Sequence, residues 1–433
     1  MDEEAIAVRL RMIITVVLAA ALLSGLGALA GRTGSTTETA FGAPDRPAAK
    51  LPAAIAAYQQ RLRKVPGDWT TWAALGSAYL EQARAVADPS YYPKAEGALR
   101  KSLEVRAGNA LALAGLGALA NARHDFTGAR GLAEQALAAD PYSDTAYGVL
   151  ADAQTQLGHP AEATDAVQHM LDLRPGLASY TRASYDLEQH GRRTDAIDLM
   201  QRALAAATEP ADLAFCHQHL AALAWAAGDV ATAAREVSLG LAADVTAAGL
   251  WQLKARVDAA SGDLAAALAD LDKVVSRTPT VDALVEQARM LTAAGRDPGA
   301  SLRLAEAAHQ LFTANGGTDD LGASALALAA GRPAEAVQLA RQEWDRRQFA
   351  EVADAVAWSL NAAGRPAEAL PYIQKAEALG QLDPAVAFHH GMIALGAGDR
   401  VTARLQLQLA LSLNPHFSPL DAPVAVSTLA GLS

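Results

Sequence analysis

The feature that most constrains this 433-residue chain is a period. GHPAEA at Gly158, GRPAEA at Gly331 and GRPAEA at Gly364 are nearly one string, and GRRTDA at Gly191, GDVATA at Gly228, GDLAAA at Gly262, GRDPGA at Gly295 and GDRVTA at Gly398 mark the same break. From Gly158 onward the steps between these glycines are 33, 37, 34, 33, 36, 33 and 34 residues. Such a period belongs to one supersecondary unit stacked on copies of itself. Five residues after each glycine stands an alanine: Ala163, Ala196, Ala233, Ala267, Ala300, Ala336, Ala369 and Ala403, with Ala54, Ala95 and Ala129 earlier in the same register. A small residue at one fixed place predicts two helices in close approach. Composition agrees, because Ala and Leu, which head the helix scale, dominate a chain only 5% aromatic.

The other half of the unit opens with WAALGSAY, Trp72–Tyr79, which reads W-x-x-L-G-x-x-Y at Trp72, Leu75, Gly76 and Tyr79. It resembles the first helix of a tetratricopeptide repeat, whose period is also 34. The glycine place recurs as Gly76, Gly117, Ala151, Ser184, Ala221, Ala255, Ala288, Ser324, Ala357 and Gly391, all small. Prolines at Pro66, Pro141, Pro175, Pro279 and Pro415 end second helices, since proline lacks the backbone donor. Seven extra residues around ADPSYYP lengthen the first unit, and the unit at Gly317–Trp344 is the most degenerate, with Asp320 where a large apolar residue is expected. The chain is thus identified as a tetratricopeptide-type protein of bacterial kind. The resemblance implies an all-α, right-handed superhelical α-solenoid of helix pairs. Terminal helices of such an array are expected to be polar on their outer faces.

Met12–Ala30, MIITVVLAAALLSGLGALA, carries no charge over nineteen residues and is preceded by Arg9 and Arg11. It is long enough for a transmembrane helix. Ala28-Leu29-Ala30 also satisfies the small-residue rule of a signal-peptide cleavage site. The acidic MDEE start and the long uncharged run favour a retained membrane anchor. Either way the basic flank stays inside and the body goes outside the cytoplasm. The expected organisation is a short cytoplasmic segment at 1–11, the transmembrane helix or signal peptide at 12–30, and a flexible linker at 31–51. About ten helix pairs follow at 52–418, and a C-terminal capping helix at 419–433. GLGALA occurs both at Gly25 and at Gly115 and matches a relaxed dinucleotide fingerprint. Neither copy follows a strand, as that fingerprint requires. At Gly115 it is repeat register, with Gly117 in the small place.

Net charge is −11, with no basic stripe of the kind nucleic-acid binders show. No Gly-Lys pair is present, so no phosphate loop, and neither His-Glu-x-x-His nor a G-x-S-x-G elbow occurs. Cys216 with His219 shares a helix face, and His389-His390 form a second cluster. Both are read as repeat packing, with no cofactor or metal expected. No pair of carboxylates stands out as acid and base. The chain is read as non-enzymatic, with no nucleotide or nucleic-acid partner. The resemblance implies that a protein or peptide ligand binds the concave surface lined by first helices. In the repeat register that surface holds Asn121, Thr155, Gln156, Tyr185, Glu188, Trp225, Gln252, Arg256, Arg289, Trp358 and Asn361. Trp, Tyr and Arg are the types that dominate binding hot spots. Arg256 and Arg289, one repeat apart, are expected to meet a carboxylate. The family's carboxylate clamp uses Lys and Asn on first helices; Ala, Ser, Gly and Thr stand there here, so no clamp is carried over.

Overall fold

The computed structural model describes residues 51–432, and every regular element among them is helical. A first helix, Leu51–Lys64, is followed by ten antiparallel pairs. Repeats 1 to 5 are Trp69–Val86 with Tyr92–Val105, Ala110–Ala122 with Phe126–Ala139, Asp144–Leu157 with Pro160–Leu173, Leu177–Gln189 with Arg193–Ala206, and Pro210–Ala226 with Val230–Ala243. Repeats 6 to 10 are Ala248–Ala260 with Leu264–Arg277, Val281–Ala293 with Gly299–Ala314, Asp320–Ala329 with Pro333–Arg346, Ala350–Ala362 with Pro366–Ala376, and Pro384–Gly396 with Arg400–Leu413. Asp421–Gly431 packs over the last pair. No helix among the described residues is long and apolar enough to cross a membrane. The segment at 12–30, like the rest of residues 1–50, lies outside the described residues.

Local chemistry explains the boundaries. Asp68, Asn109, Asp125 and Ser143 each accept a backbone N–H of the first helical turn, satisfying donors that a helix start leaves unpaired. All eight break glycines, Gly158, Gly191, Gly228, Gly262, Gly295, Gly331, Gly364 and Gly398, have φ between 68° and 89°. That left-handed conformation ends the first helix of each pair and favours glycine. At the same place in repeat 2 stands His124, with φ 62°. The extra residues of repeat 1 wind into a short 3-10 helix, Pro89–Tyr91, that delivers a fully buried Tyr92.

The small positions are contact points. A Cβ on Gly117 would lie 2.9 Å from Val149 Cγ1, and one on Gly391 would lie 2.8 Å from Leu407 Cγ. Gly76 is covered as tightly by Leu99. Ala95, Ala129, Ala163, Ala196, Ala267, Ala369 and Ala403 are all buried. Ala300 departs from the register and is exposed. Pro298 caps this helix, which starts only at Gly299, and Ser301 takes the buried place, donating to Gln287 Oε1 at 2.7 Å. In repeat 8, Asp320 sits at the helix start and pairs with Arg346, while Leu321 supplies the buried apolar contact. The expected polar outer face is not found on the terminal helix, Asp421–Gly431, where Val424 and Val426 are exposed. Val401, Leu405 and Leu409 form an exposed stripe on the last second helix, opposite its packed side of Ala403, Leu407 and Ala410.

The solenoid also touches itself at long range. Thr318 N donates to Arg123 O at 3.1 Å, and His124 Nδ1 lies 3.0 Å from Thr318 O. Arg347 donates to Gln156 Oε1, and Gly158 lies against the Gln348 carbonyl. Arg193 Nη2 donates to Leu382 O at 2.8 Å, and Gly191 lies against the Gly380 carbonyl. Asn414 Nδ2 donates to Trp225 O at 2.8 Å, and Gly228 lies against the Leu413 carbonyl. Repeats 2, 3, 4 and 5 therefore clasp repeats 7, 8, 9 and 10. The superhelix completes a turn in five repeats, and its second turn rests on the first.

Candidate functional site

The first helices line the inside of this coil. Along them runs one geometric rule: the residue after the small position of one repeat faces the residue two before the small position of the next. Asp152 meets Arg182, with Nε–Oδ1 3.0 Å and Nη2–Oδ2 2.9 Å. Arg256 meets Glu286, with Nε–Oε1 2.6 Å and Nη2–Oε2 3.0 Å. Trp358 stacks on His389 with ring centroids 4.2 Å apart. These forked pairs are planar charge-assisted contacts that fix adjacent repeats against each other. Burial pushes the Asp152 carboxyl up to about 6, against the pull of Arg182. Burial, reinforced by the neighbouring Glu286 charge, pushes Asp282 up to about 8. Gln252 bridges those two carboxylates, 3.3 Å from Asp282 and 3.2 Å from Glu286.

The lumen holds a cavity in the second turn. This cavity of about 180 Å³ is walled by first helices of repeats 5 to 10 and roofed by residues 416–421. Trp225, Arg256, Arg289 and Trp358, four of the eight principal sequence candidates, line it. Trp225 contributes from a position only 2% exposed, so its role there is mostly packing. Arg256 and Arg289 do not share a carboxylate. Arg256 takes Glu286, and Arg289 takes Asp421, far along the chain. The roof is held by Phe417 against Phe388, ring centroids 5.5 Å apart, by Asn414, and by Ser418 Oγ donating to Asp421 Oδ2 at 2.8 Å.

The other sequence candidates lie elsewhere. Asn121, 2% exposed, donates its amide to Val149 O at 3.1 Å and serves packing between repeats. Gln156 is buried under Arg347 in the clasp. Thr155 donates back to Ala151 O, as a helical threonine commonly does. Tyr185, Glu188 and Asn361 are half-buried and outside the cavity. Sequence reasoning missed Glu286, Glu351, Asp354 and the whole roof, and it read His389, which lines the cavity, as repeat packing. The spacing of 30 residues between Asp152 and Arg182, and again between Arg256 and Glu286, is the signal that could have found the wall pairs.

The histidine clusters are accounted for by their neighbours. Cys216 is fully buried, and burial pushes its thiol up to about 12. Burial also pulls His219 down to about 4, so it is neutral. His217 pairs with Glu236, His389 with Asp354 and His390 with Glu377. No group of three metal-ligating side chains occurs among the described residues.

Residues 120–183, within repeats 2 to 4, match the tetratricopeptide repeat family model. No curated protein matches the chain. Among solved structures it is similar to a monomeric mutant of IFIT1 with Gppp-AAAA, at 15% identity over 75% of this chain and 76% of that one, TM-score 0.48. It is also similar to a tetratricopeptide repeat protein from Parabacteroides merdae, at 16% identity over 59% of this chain and 98% of that one, TM-score 0.36. The APC/C hetero-tetramer Cut9–Hcn1 is a third, at 13% identity over 89% and 94%, TM-score 0.34.

Proposed function

We propose that this chain is a non-catalytic protein-interaction scaffold, a right-handed tetratricopeptide array that receives a protein segment in the lumen of its second turn. The observation that carries the reading is the convergence of Arg256, Arg289 and Trp358 on one cavity. Arginine and tryptophan are the side chains on which binding energy concentrates. The uncharged run at 12–30 supports a membrane tether with the array outside the cytoplasm. Crosslinking capture on native membranes tests the scaffold: wild type should retain a discrete partner, and Trp358→Ala and Arg289→Ala should lose it. Capture unchanged by both substitutions removes the lumen as the binding surface. Ala28-Leu29-Ala30 favours a second reading, a secreted form after cleavage. N-terminal sequencing separates the two, since a mature chain beginning at Gly31 ends the tether.

A further inference from the structure

The wall pairs of the lumen have one exception. By the rule that joins Asp152 to Arg182 and Arg256 to Glu286, the wall partner of Arg289 would be residue 322, two before Ser324. That residue is Gly322, which has no side chain. Arg289 is instead paired by Asp421, 132 residues later, from the segment that roofs the cavity. The same segment sets Phe417 against Phe388, beside Trp358. The chain's own Phe417-Ser418-Pro419-Leu420-Asp421 therefore lies in the lumen as a peptide would: an aromatic anchor in an apolar wall, then a carboxylate on an arginine that the wall leaves unpaired.

We infer that the lumen of the second turn recognises a peptide segment bearing an aromatic residue and, four positions on, a carboxylate, and that Phe417 and Asp421 hold this site in cis until a partner of that chemistry displaces them. The inference rests on the scaffold reading and names the partner's side chains. The wall chemistry selects the class. Arg256 is already satisfied by Glu286, so a second carboxylate gains little there. Arg289 is 39% exposed at its side chain and gives up no wall contact when it changes ligand. The cavity remaining beside the roof, about 180 Å³, allows an incoming aromatic ring to enter before Phe417 leaves.

The test uses the full chain with Phe417→Ala and Asp421→Asn combined, so that the roof releases the site. The probe is a fluorescein-labelled synthetic peptide spanning residues 414–427, read by fluorescence anisotropy. The released variant should bind it at least about tenfold more tightly than wild type, whose site is filled by its own segment at high effective concentration. Adding Arg289→Ala should weaken binding by about tenfold or more, the loss typical of a charged anchor. A folded released variant that binds no better than wild type overturns the inference, as does binding indifferent to Arg289→Ala. Should the double variant lose its helical circular dichroism, Arg289→Ala in the otherwise unchanged chain decides. Amide exchange over 416–421 must then accelerate while repeats 1 to 4 hold, and unchanged exchange overturns the inference. Membrane capture that succeeds while the peptide fails to bind removes this site and leaves the scaffold. Peptide binding without capture does the reverse.

Discussion

The break glycines of repeats 3 to 5 and those of repeats 6 to 10 read alike in sequence and adopt the same left-handed backbone. Their surroundings differ. Gly158, Gly191 and Gly228 each press against a backbone carbonyl of the next superhelical turn, so that a Cβ at Gly228 would lie 2.6 Å from Leu413 O. A Cβ at Gly262, Gly295, Gly331, Gly364 or Gly398 would meet nothing within 4 Å. One motif thus does two jobs. Everywhere it ends a helix; in the first turn it also makes room for the second. The lesson is that a repeat's local rule is set by its neighbours in sequence, while its tolerance to change is set by a unit five places away.

The sharpest way to break this contrast is at the buried clasp. Arg347 is 3% exposed, pairs with Glu343 and reaches Gln156 across the turns. Arg347→Leu leaves Glu343, 1% exposed, with only Arg346 and should cost about 3–5 kcal/mol, the usual penalty for halving a buried ion pair. Thermal unfolding checks this, and a loss under about 1 kcal/mol would mean that the Arg347 clasp contributes little to stability. Next comes a matched glycine pair. Gly364→Ala should cost about 1–2 kcal/mol from the left-handed backbone alone. Gly191→Ala adds a collision with the Gly380 carbonyl and should exceed it by about 1–3 kcal/mol. Equal effects would erase the distinction between the two groups. Smaller again is Asn414→Ala, which removes the bond to Trp225 O and should cost about 1–2 kcal/mol while raising amide exchange near Gly228.

The last prediction separates one clasp from another by pH. Burial lowers the pKa of His124, whose Nδ1 faces Thr318 O. A histidine with a depressed folded pKa binds its proton more weakly folded than unfolded. Its stabilising share is therefore complete above the unfolded pKa of about 6.5 and is lost as pH falls below that value. The protection factor of the Thr318 amide should fall on going from pH 7 to pH 5, more than that of Gly228, whose clasp uses the amide of Asn414. Identical pH responses would show that His124 does not gate the first clasp.

Much of the repeat was legible because its signals are local. A glycine at a left-handed break, an alanine five residues on, and W-x-x-L-G-x-x-Y each constrain a turn or a face within one unit. The misses were local too. At Ala300 one proline moved the helix start, and at Asp320 the apolar contact passed to Leu321. The exposed stripe of Val401, Leu405 and Leu409 follows no rule visible in the period. The clasps were not legible, since contacts such as Asn414 to Trp225 join residues 189 apart and leave no mark in a 34-residue pattern. The site lay between these limits. Register placed Arg256, Arg289 and Trp358 on the lumen wall. It could not reveal that Asn121 and Gln156 are consumed by packing, nor that a tail segment returns to supply the Asp421 carboxylate.

A stack whose units touch only their neighbours can gain or lose a member without harm, since every remaining interface is intact. This coil cannot. Delete one repeat between Gly228 and Gln348, and each neighbouring interface can reform, yet Gly158, Gly191 and Gly228 face the wrong carbonyls, and Asn414 no longer reaches Trp225. The five-repeat turn makes the array count its own members. Duplication or loss of a single unit between clasping repeats, the ordinary route by which such chains diversify, shifts every clasp that spans it.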